Sequence, residues 1–332
     1  MIISRTPFRI SFFGGGTDYP VWYRENSGVV LSTTINKYCY LSCRRLPPFF
    51  EYKHRIVYSK TELSSTIDSI VHPAVRETFR FMHIDEGLEI HHDGDLPARS
   101  GLGSSSSFTV GLLNALHALK GKMISKEQLA KHAIFIEQQM IKEDVGSQDQ
   151  IAAAFGGFNL IKFTRDDLFS VNTVVLNREK LQALEDHMLL MFTGFSRTAA
   201  EIAKEQIKET PKKGKELIAM AQMVDEALLI LNRESDDVTD FGKLLHEAWL
   251  LKRSLTNKIS NPQIDEIYSA AREAGALGGK LLGAGGGGFM LLFARPEDHA
   301  VIRERLQAFL FVPFQFENSG SQIVVYQPDG LY

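Results

Sequence analysis

A glycine- and serine-rich segment near residue 100 has the residue types best suited to chemistry. It reads Ser100-Gly101-Leu102-Gly103-Ser104-Ser105-Ser106-Ser107 and lies between a strand-like stretch, 88–92, and a helix-like one, 108–119. Glycines let the backbone bend tightly and approach a ligand, and the free N–H groups at the start of a helix attract anions. The segment predicts a phosphate site with hydroxyls available to Mg²⁺. It is not a Walker A loop, because the lysine of GxxxxGK[ST] is missing.

Two carboxylates follow at positions where an ionised side chain could bind a metal ion or is stabilised by a helix N-terminus. Glu137 lies at the edge of the apolar face of a predicted helix over 126–143, where Mg²⁺ would compensate its charge. Asp149 lies just inside a helix that a capping box of Ser147 and Gln150 is predicted to begin, and the helix N-terminus favours its ionised form. On these residues alone, a solvated surface residue is the better interpretation of Glu137, and stabilising the helix is the commoner role for a residue placed like Asp149.

Two further glycine clusters flank these residues in the chain. One is Phe12-Phe13-Gly14-Gly15-Gly16-Thr17-Asp18-Tyr19, and the other is Lys280-Leu281-Leu282-Gly283-Ala284-Gly285-Gly286-Gly287-Gly288-Phe289. With the Gly/Ser segment between them, this order of motifs resembles the GHMP kinases, the family of galactokinase, homoserine kinase, mevalonate kinase and phosphomevalonate kinase. The resemblance covers nearly the whole chain. It implies a first domain like domain 2 of ribosomal protein S5, a ferredoxin-like second domain and an active site in the cleft between them.

The resemblance also implies a kinase that uses ATP and Mg²⁺, with a role for each motif. Mg²⁺ would be held by Glu137 and by Ser105, the second serine of the family's GLGSS loop, or by Ser106 if the register differs by one. Asp149, in a G-x-x-D-Q sequence like that of galactokinases, would accept or orient the proton of the acceptor hydroxyl. Arg9 would pair with Asp149 and stabilise charge near the transferred group. The residues that would bind the ATP phosphates are Gly101, Leu102, Gly103, Ser104, Ser105 and Ser106.

The predicted acceptor side is similar to that of galactokinases, with one departure. Gly15, Gly16, Thr17 and Asp18 follow the galactokinase pattern of a glycine turn and Thr-Asp-Tyr, and Asp18 would accept hydrogen bonds from sugar hydroxyls. Galactokinases have Gly-Glu-His where this chain has three glycines, so galactose is disfavoured and another sugar has room. In the third cluster, Gly285 and Gly286 would approach the substrate, and a hinge is the alternative use of these glycines.

Within the family, three segments most resemble bacterial D-glycero-D-manno-heptose 7-phosphate kinases, namely FFGGGTDYP, TTINKY at 33–38 and SGLGSSSSF. The resemblance implies transfer to the anomeric hydroxyl, giving the 1,7-bisphosphate for nucleotide-heptose synthesis. A phosphorylated acceptor requires basic side chains, and Lys37, Arg99 and Arg197 are candidates, although each is equally an ordinary surface charge. The alternatives are an L-fucose or galactose-type sugar 1-kinase and a non-catalytic regulator that binds ATP and sugar on the same fold.

The elements that must position these residues are strands mixed with helices without strict β-α-β alternation, which indicates an α+β fold. A boundary near residue 170 is expected, dividing the chain into residues 1–170 and 171–332. Ser125 with Gln128 forms a capping box that begins the helix over 126–143. The segments 313–317 and 321–327 predict a terminal hairpin.

Composition narrows the class of protein. Of 332 residues, 44% are hydrophobic and 23% are charged, which is ordinary for a globular protein. The net charge of −3 argues against nucleic-acid binding, and no apolar run is long enough to span a membrane. Because the first residues lack a secretory apolar segment, a cytoplasmic protein is expected. The expected partner is a small phosphorylated sugar, without nucleic acid or membrane, and a homodimer is a possible assembly.

Overall fold

The computed structural model describes residues 1–194 and 199–328 and has two β-sheets with helices packed on them. The strands are β1 (Ile2–Phe13), β2 (Gly28–Arg45), β3 (His54–Val57), β4 (Thr61–Ser64), β5 (Leu88–Gly94), β6 (Asn159–Phe163), β7 (Phe169–Thr173), β8 (Met188–Phe192), β9 (Gly278–Leu281), β10 (Phe289–Phe293), β11 (Leu310–Val312), β12 (Phe316–Glu317) and β13 (Gln322–Tyr326). The α-helices are α1 (Pro20–Asn26), α2 (Pro73–Phe81), α3 (Ser104–Leu119), α4 (Lys126–Phe135), α5 (Gln148–Phe155), α6 (Arg178–Asp186), α7 (Ala199–Glu209), α8 (Gly214–Leu231), α9 (Thr239–Arg253), α10 (Pro262–Glu273) and α11 (His299–Arg305). This is the predicted α+β architecture.

The first sheet is built around two long antiparallel strands. β1 and β2 pair from Ile2 opposite Cys43 to Phe13 opposite Leu31. The strand order is β13-β1-β2-β5-β3-β4; β6 and β12 also pair with β2, and β7 pairs with β6. Nearly all of β1 is buried, because α3 packs across β1 and β2 while α8 and α9 also contact β1. The helix that follows the Gly/Ser segment is therefore anchored on the strand that carries Arg9.

The second sheet has the order β11-β8-β10-β9, and its described strand pairs are antiparallel. β8 and β10 read MLLMF and FMLLF, and such unbroken apolar runs are typical of strands covered on both faces. α9 packs on β9, and α8 packs on α9. This sheet and α9 therefore form the wall that faces the first sheet across the cleft.

An aromatic cluster joins the two halves of the molecule. The ring of Phe12 on β1 meets the rings of Phe158 and Phe241 edge to face, with centroids 5.6 and 5.4 Å apart. Phe241 on α9 continues to Phe293 on β10, 5.7 Å away. Such pairs bury large apolar surfaces in a defined geometry. The end of β1 and the helix opposite it are consequently held in one continuous core.

The predicted terminal hairpin is wrong. β12 pairs with β2, placing Phe316 opposite Ile35, and β13 pairs with β1, placing Ile2 opposite Tyr326. Both strands satisfy backbone groups of the first sheet that would otherwise lack partners. The chain thus returns to its first sheet after the second one is complete. The division near residue 170 stays a prediction.

The serine N-cap bond of one of the two predicted capping boxes forms. The hydroxyl of Ser125 accepts the backbone N–H of Gln128 at 3.2 Å and begins α4. The Ser147 box is wrong, because that hydroxyl instead accepts a hydrogen bond from the Gln138 side chain at 3.0 Å. α5 still begins at Gln148. Tertiary contacts therefore replaced a local cap without moving the helix.

The helix predicted over 126–143 changes its winding near the middle. α4 ends at Phe135, and a π-helical turn continues over Ile136–Ile141. π-helical turns are rare and frequent at functional sites. This one carries Glu137. Within residues 1–194 and 199–328, no helix combines the length and apolarity needed to cross a membrane.

Candidate active site

A cavity of about 260 Å³ opens between the Gly/Ser segment, the Gly14–Gly16 turn and α9. Its walls include the predicted residues Gly15, Gly16 and Asp18 on one side and Arg99 at the phosphate segment. The remaining predicted residues that line it are Arg9, Gly101, Gly103, Ser104, Ser105, Ser106 and Asp149. Residues spread over most of the chain therefore meet at one place.

The phosphate wall is the N-terminus of α3. Gly101 and Gly103 have φ of 87° and 76°, in the left-handed region that glycine adopts readily. The first helical hydrogen bond joins the N–H of Ser107 to the carbonyl of Gly103 at 2.9 Å. The N–H groups of Ser104–106 precede that bond and lie at the cavity, where the positive end of the helix favours phosphate. Leu102 has a buried side chain, and its carbonyl accepts the N–H of Arg9.

The third glycine cluster lies directly against this wall. A Cβ added to Gly101 would be 2.4 Å from the carbonyl oxygen of Leu282, and one added to Gly288 would be 2.3 Å from that of Ser100. Side chains at these positions would push the two backbones apart. Gly285 and Gly286 are not at the cavity surface, because both contact the backbone of Ile259. The cluster therefore supports the phosphate segment rather than placing Gly285 or Gly286 on the substrate.

Arg9 and Asp149 form a bidentate ion pair at the centre of the cleft. The Nε and Nη2 atoms of Arg9 donate to the two carboxylate oxygens at 2.7 and 2.8 Å. Nη1 donates to the carbonyl of Gly101 at 2.6 Å, which ties the pair to the phosphate wall. The Arg9 side chain is 5% exposed and that of Asp149 is 24% exposed. The carboxylate is thus held in one orientation while part of it faces the cavity.

Glu137 is fully buried behind the phosphate wall. One of its oxygens, Oε2, accepts the hydroxyl of Ser106 at 2.8 Å and the side-chain amide of Gln150. The Thr109 side chain also faces this carboxyl, but its hydroxyl donates to the carbonyl of Ser105, and Oε1 accepts no hydrogen bond of standard geometry within the part of the chain that the structure describes. Burial raises the pKa of this carboxyl to about 7. A carboxylate here is consequently costly until a cation or proton compensates it.

The serine beside Glu137 is Ser106 and not Ser105. Ser105 is exposed on the first turn of α3, whereas Ser106 is buried and faces the carboxylate. Helical geometry turns successive side chains about 100° apart, so only one of the two can point at the π-helical turn. The contact supports the register in which Ser106 holds the metal.

The acceptor wall surrounds a buried Asp18. Its carboxylate accepts the N–H of Gly16 at 2.9 Å and the side-chain amide of Gln148 at 3.0 Å. Burial raises its pKa. Gly146 packs so closely that an added Cβ would lie 1.9 Å from the Asp18 carboxylate. Thr17 has a different role, because its hydroxyl lies 2.8 Å from the backbone carbonyl oxygens of Gly14 and Val29, to one of which it donates, and shapes the turn rather than the cavity.

Two lysines that the sequence reasoning missed lie on the wall opposite the phosphate segment. Lys252 on α9 and Lys280 on β9 are buried, and both line the cavity. The Lys280 ammonium donates to the carbonyl of Phe12 at 2.7 Å, and that of Lys252 donates to the carbonyl of Gly283. Burial lowers the pKa of both groups, that of Lys252 to about 8. A signal existed for Lys252, because it continues the buried face of α9 three residues after Trp249.

The three basic residues predicted for an acceptor phosphate have different positions. Arg99 is exposed and lies at the cavity, where its charge acts on Glu143. Lys37 lies on β2 and does not line the cavity. Arg197 lies outside the described residues. Of the two candidates that the structure describes, Arg99 therefore lies at the cleft, and the role of Arg197 stays a prediction.

The comparisons with known proteins bear on these motifs. The family model described as "GHMP kinases N terminal domain" matches residues 69–157, and the model described as "GHMP kinases C terminal" matches residues 227–310. The D-glycero-alpha-D-manno-heptose 7-phosphate kinase of Campylobacter jejuni is 31% identical over 315 residues, which are 89% of this chain and 90% of that protein. The chain belongs to the GHMP kinase family. It is therefore a kinase, as its motifs predicted.

Two other similar proteins span nearly the same length of this GHMP kinase. The bifunctional fucokinase/GDP-fucose pyrophosphorylase of Arabidopsis thaliana is 27% identical and covers 91% of the chain, which corresponds to 30% of that longer protein. A crystal structure of a D-glycero-D-manno-heptose 1-phosphate kinase from Bacteroides thetaiotaomicron matches with a TM-score of 0.77 at 26% identity, covering 98% of this chain and 100% of that one. The two-domain GHMP kinase fold predicted from the motifs is confirmed.

Proposed function

We propose that this GHMP kinase transfers the γ-phosphoryl group of ATP to the anomeric hydroxyl of D-glycero-D-manno-heptose 7-phosphate, giving the 1,7-bisphosphate for nucleotide-heptose synthesis. The chain is a sugar kinase, and what we propose is the identity of the acceptor and the transfer to its C1 position. The observation that carries it is the Arg9–Asp149 pair, which lies between a helix N-terminus suited to phosphate and the buried Asp18. The similarity to the Campylobacter kinase over 89% of the chain supports the choice of sugar.

The donor side fits ATP with Mg²⁺. Ser106 and Glu137 offer hard oxygen ligands, and the unpartnered Oε1 of Glu137 is a buried carboxylate oxygen that a cation would satisfy. The described residues contain no group of three or more His, Cys, Asp or Glu side chains suited to a metal. Such a sparse protein set suits Mg²⁺, which keeps waters and phosphate oxygens as its other ligands. When bound, the ion would neutralise charge on the ATP phosphates.

Asp149 is the proposed proton acceptor. Its carboxylate is positioned by both nitrogens of the Arg9 fork and by the contact of Arg9 with Gly101. A hydroxyl held between Asp149 and Asp18 would donate its proton to Asp149 as its oxygen attacks the γ-phosphorus. Phosphoryl transfer proceeds through a loose transition state, so the orientation of the acceptor hydroxyl contributes as much as the basicity of Asp149.

The acceptor wall supports a sugar that is larger and more negative than galactose. Gly15 and Gly16 line the cavity without side chains, and the Cβ that Gly15 lacks would meet nothing closer than 3.6 Å. Asp18 offers a hydrogen-bonding anchor for hydroxyls. Lys252 and Lys280 make this wall positive, which favours a phosphorylated substrate over a neutral one.

The main alternative is an L-fucose or galactose-type sugar 1-kinase. The similarity to the plant fucokinase over 91% of the chain favours it, because that name denotes a free-sugar kinase. A regulator without catalysis is the less supported alternative. Arg9 contacts Asp149, and Ser106 contacts Glu137. A protein that only senses ligands has no need of these two pairs.

The test is ADP release with Mg·ATP against heptose 7-phosphate, sedoheptulose 7-phosphate, mannose, fucose, galactose and mevalonate. Turnover with the heptose phosphate, and its loss in Asp149→Asn, is the expected result. Identifying the product by phosphorus NMR checks the C1 position. Turnover with a free sugar alone would contradict the phosphorylated acceptor, and ATP binding without any turnover would favour the regulator. A cytoplasmic location and a homodimer stay predictions, to be checked by fractionation and by light scattering.

A further inference from the structure

Lys252 is a buried cation of the cleft that has no part in any step of the reaction described above. It lies in the last turn of α9, is 6% exposed and lines the cavity next to Gly283. Its ammonium donates to the carbonyl of Gly283. Within the described part of the chain it has no carboxylate within the 4.0 Å of an ion pair. An ammonium has three N–H donors, so it can bind a further acceptor.

The carboxylates nearest to Lys252 already have partners. Asp149 is held by the fork of Arg9 at 2.7 and 2.8 Å. Asp18 accepts hydrogen bonds from Gly16 and Gln148. The positive charge of Lys252 is therefore not balanced by a direct contact in the protein, although burying an unpaired charge is costly. A protein keeps such a charge where a ligand supplies the anion.

Lys280 is a second buried ammonium on this wall, and the two lysines differ in position. Lys280 is bound to the carbonyl of Phe12 at 2.7 Å, at the end of β1. The charges of Arg9, Asp18 and Asp149 act on Lys252, whereas those that act on Lys280 are Lys252, Arg9 and Asp18. The charge of Asp149 thus affects the pKa of Lys252 and is not among those that affect the pKa of Lys280.

The anchor of Lys252 also lies against the phosphate wall. A Cβ added to Gly283 would be 2.6 Å from the Cα of Gly101, so the two loops touch through their backbones. Lys252, bound to the Gly283 carbonyl, therefore lies beside the phosphate wall, and its charge interacts with those of Arg9 and Asp149. In the proposed reaction, the transferred group would pass between this wall and Asp149.

We propose that Lys252 is a catalytic residue whose ammonium binds the phosphoryl group while it is transferred. The inference rests on the proposed kinase reaction at this site. The bond between the γ-phosphorus and the β,γ-bridging oxygen breaks, the acceptor oxygen forms the new bond to phosphorus, the acceptor proton goes to Asp149, and ADP leaves. Lys252 exchanges no proton. Its charge stabilises the negative oxygens of the group in flight, opposite Arg9.

The first test is Lys252→Met, with Lys243→Met as a matched control on the exposed side of α9. Removal of a preorganised cation lowers kcat by about 10²–10³-fold, while KM for ATP and for the acceptor should change by less than about threefold. Affinity for ADP with aluminium fluoride should fall by a similar factor, since this pair mimics the transferring group. Unchanged kcat with a raised KM for the acceptor would overturn the proposal and assign Lys252 to the acceptor's own phosphate.

The second test is Lys252→Arg, which keeps the charge. Because burial lowers the pKa of Lys252 to about 8, kcat/KM of the wild type should fall as pH rises through about 8. A guanidinium stays protonated, so this alkaline limb should be absent in Lys252→Arg. The other charged groups that line the cavity are the same in both proteins, namely Arg9, Asp18, Arg99, Glu143, Asp144, Asp149 and Lys280. A limb that persists in the variant would refute the role of Lys252.

Experiments can distinguish a failure of the proposed function from a failure of the proposed role of Lys252. A wild type that phosphorylates none of the sugars contradicts the proposed function. Binding of ADP and aluminium fluoride by the wild type and by Lys252→Met, followed by calorimetry, still tests the lysine without turnover. Equal affinities in the two proteins would reject the inference whatever the acceptor is. Thermal unfolding of each variant shows whether it is folded.

Discussion

The two walls of the cleft hold their charges in different ways. On the phosphate wall, Arg9 binds Asp149 and Ser106 binds Glu137, so the groups are oriented by one another. On the wall formed by α9 and β9, the ammonium groups of Lys252 and Lys280 donate to backbone carbonyls. The phosphate wall therefore fixes the orientation of its side chains before substrate binds. The wall with the two lysines provides positive charge that an anionic substrate would neutralise. Variants on the phosphate wall should therefore change orientation and metal use more than net charge.

Asp149→Asn should have the largest effect on the phosphate wall. An amide cannot accept the acceptor's proton, so kcat should fall by about 10³-fold, within the range for loss of a general base. The Kd for ATP should stay within about twofold, measured by calorimetry. Asp166→Asn is the matched control, because Asp166 is exposed. Full turnover by Asp149→Asn would show that another group takes the proton.

Arg9→Lys should follow. Lysine keeps the charge but not the planar fork that meets both oxygens of Asp149 and the carbonyl of Gly101. We expect kcat to fall by about 10²-fold with intact folding, as judged by circular dichroism. Arg165→Lys, at an exposed position, should behave like the wild type. If Arg9→Lys retained wild-type kcat, charge alone would suffice and the contrast between the walls would be lost.

Ser106→Ala should change the use of metal by a smaller factor. Ser106 contacts Glu137, so its loss should raise the Mg²⁺ concentration for half-maximal rate by about 10-fold or more. The matched control is Ser105→Ala, which removes an exposed hydroxyl and should leave that concentration nearly unchanged. The reverse result would return the metal role to Ser105, the residue that the motif predicted first.

Glu137→Gln should have the smallest of these effects, which is a change in how the Tm depends on pH when no metal is bound. Burial raises the pKa of Glu137 from 4.5 to about 7. A raised carboxyl pKa gives stability that is complete below pH 4.5 and is lost as pH rises through about 7, because the charged form is then buried. Between pH 5 and 8 the Tm of the wild type should therefore fall by a few degrees more than that of Glu137→Gln. Glu127→Gln, at an exposed pair, controls for the loss of a surface charge. Parallel Tm curves for the wild type and Glu137→Gln would mean that Glu137 is not the group responsible.

The sequence was informative wherever a short segment determines its own backbone. The glycines at 101 and 103 indicated a loop before α3, and both adopt positive φ there. Ser125 begins α4 as predicted, since its cap bridges three residues. The order of the three glycine clusters was sufficient to indicate the family, whose members share those loops.

The sequence was misleading where local and distant partners compete. Ser147 had the spacing of a cap, but Gln138 took its hydroxyl and Glu137 took the side chain of Gln150. Lys37 followed a motif yet lies away from the cleft, while Lys252 had no motif and lines it. Proximity in the chain did not predict these contacts, because each depends on how separate elements pack.

By itself, the sequence determined the α+β class, the GHMP kinase family and the loops at which phosphate and sugar are proposed to bind. These follow from glycines, caps and apolar periodicity acting over a few residues. The tertiary structure alone decided that Ser106 rather than Ser105 meets Glu137, that β12 and β13 return to the first sheet, and that two lysines lie buried across from Arg9. Burial and electrostatic environment come from segments far apart in the chain, as in the contact of Lys280 with Phe12, which are 268 residues apart. No local pattern specifies such contacts before the chain has folded.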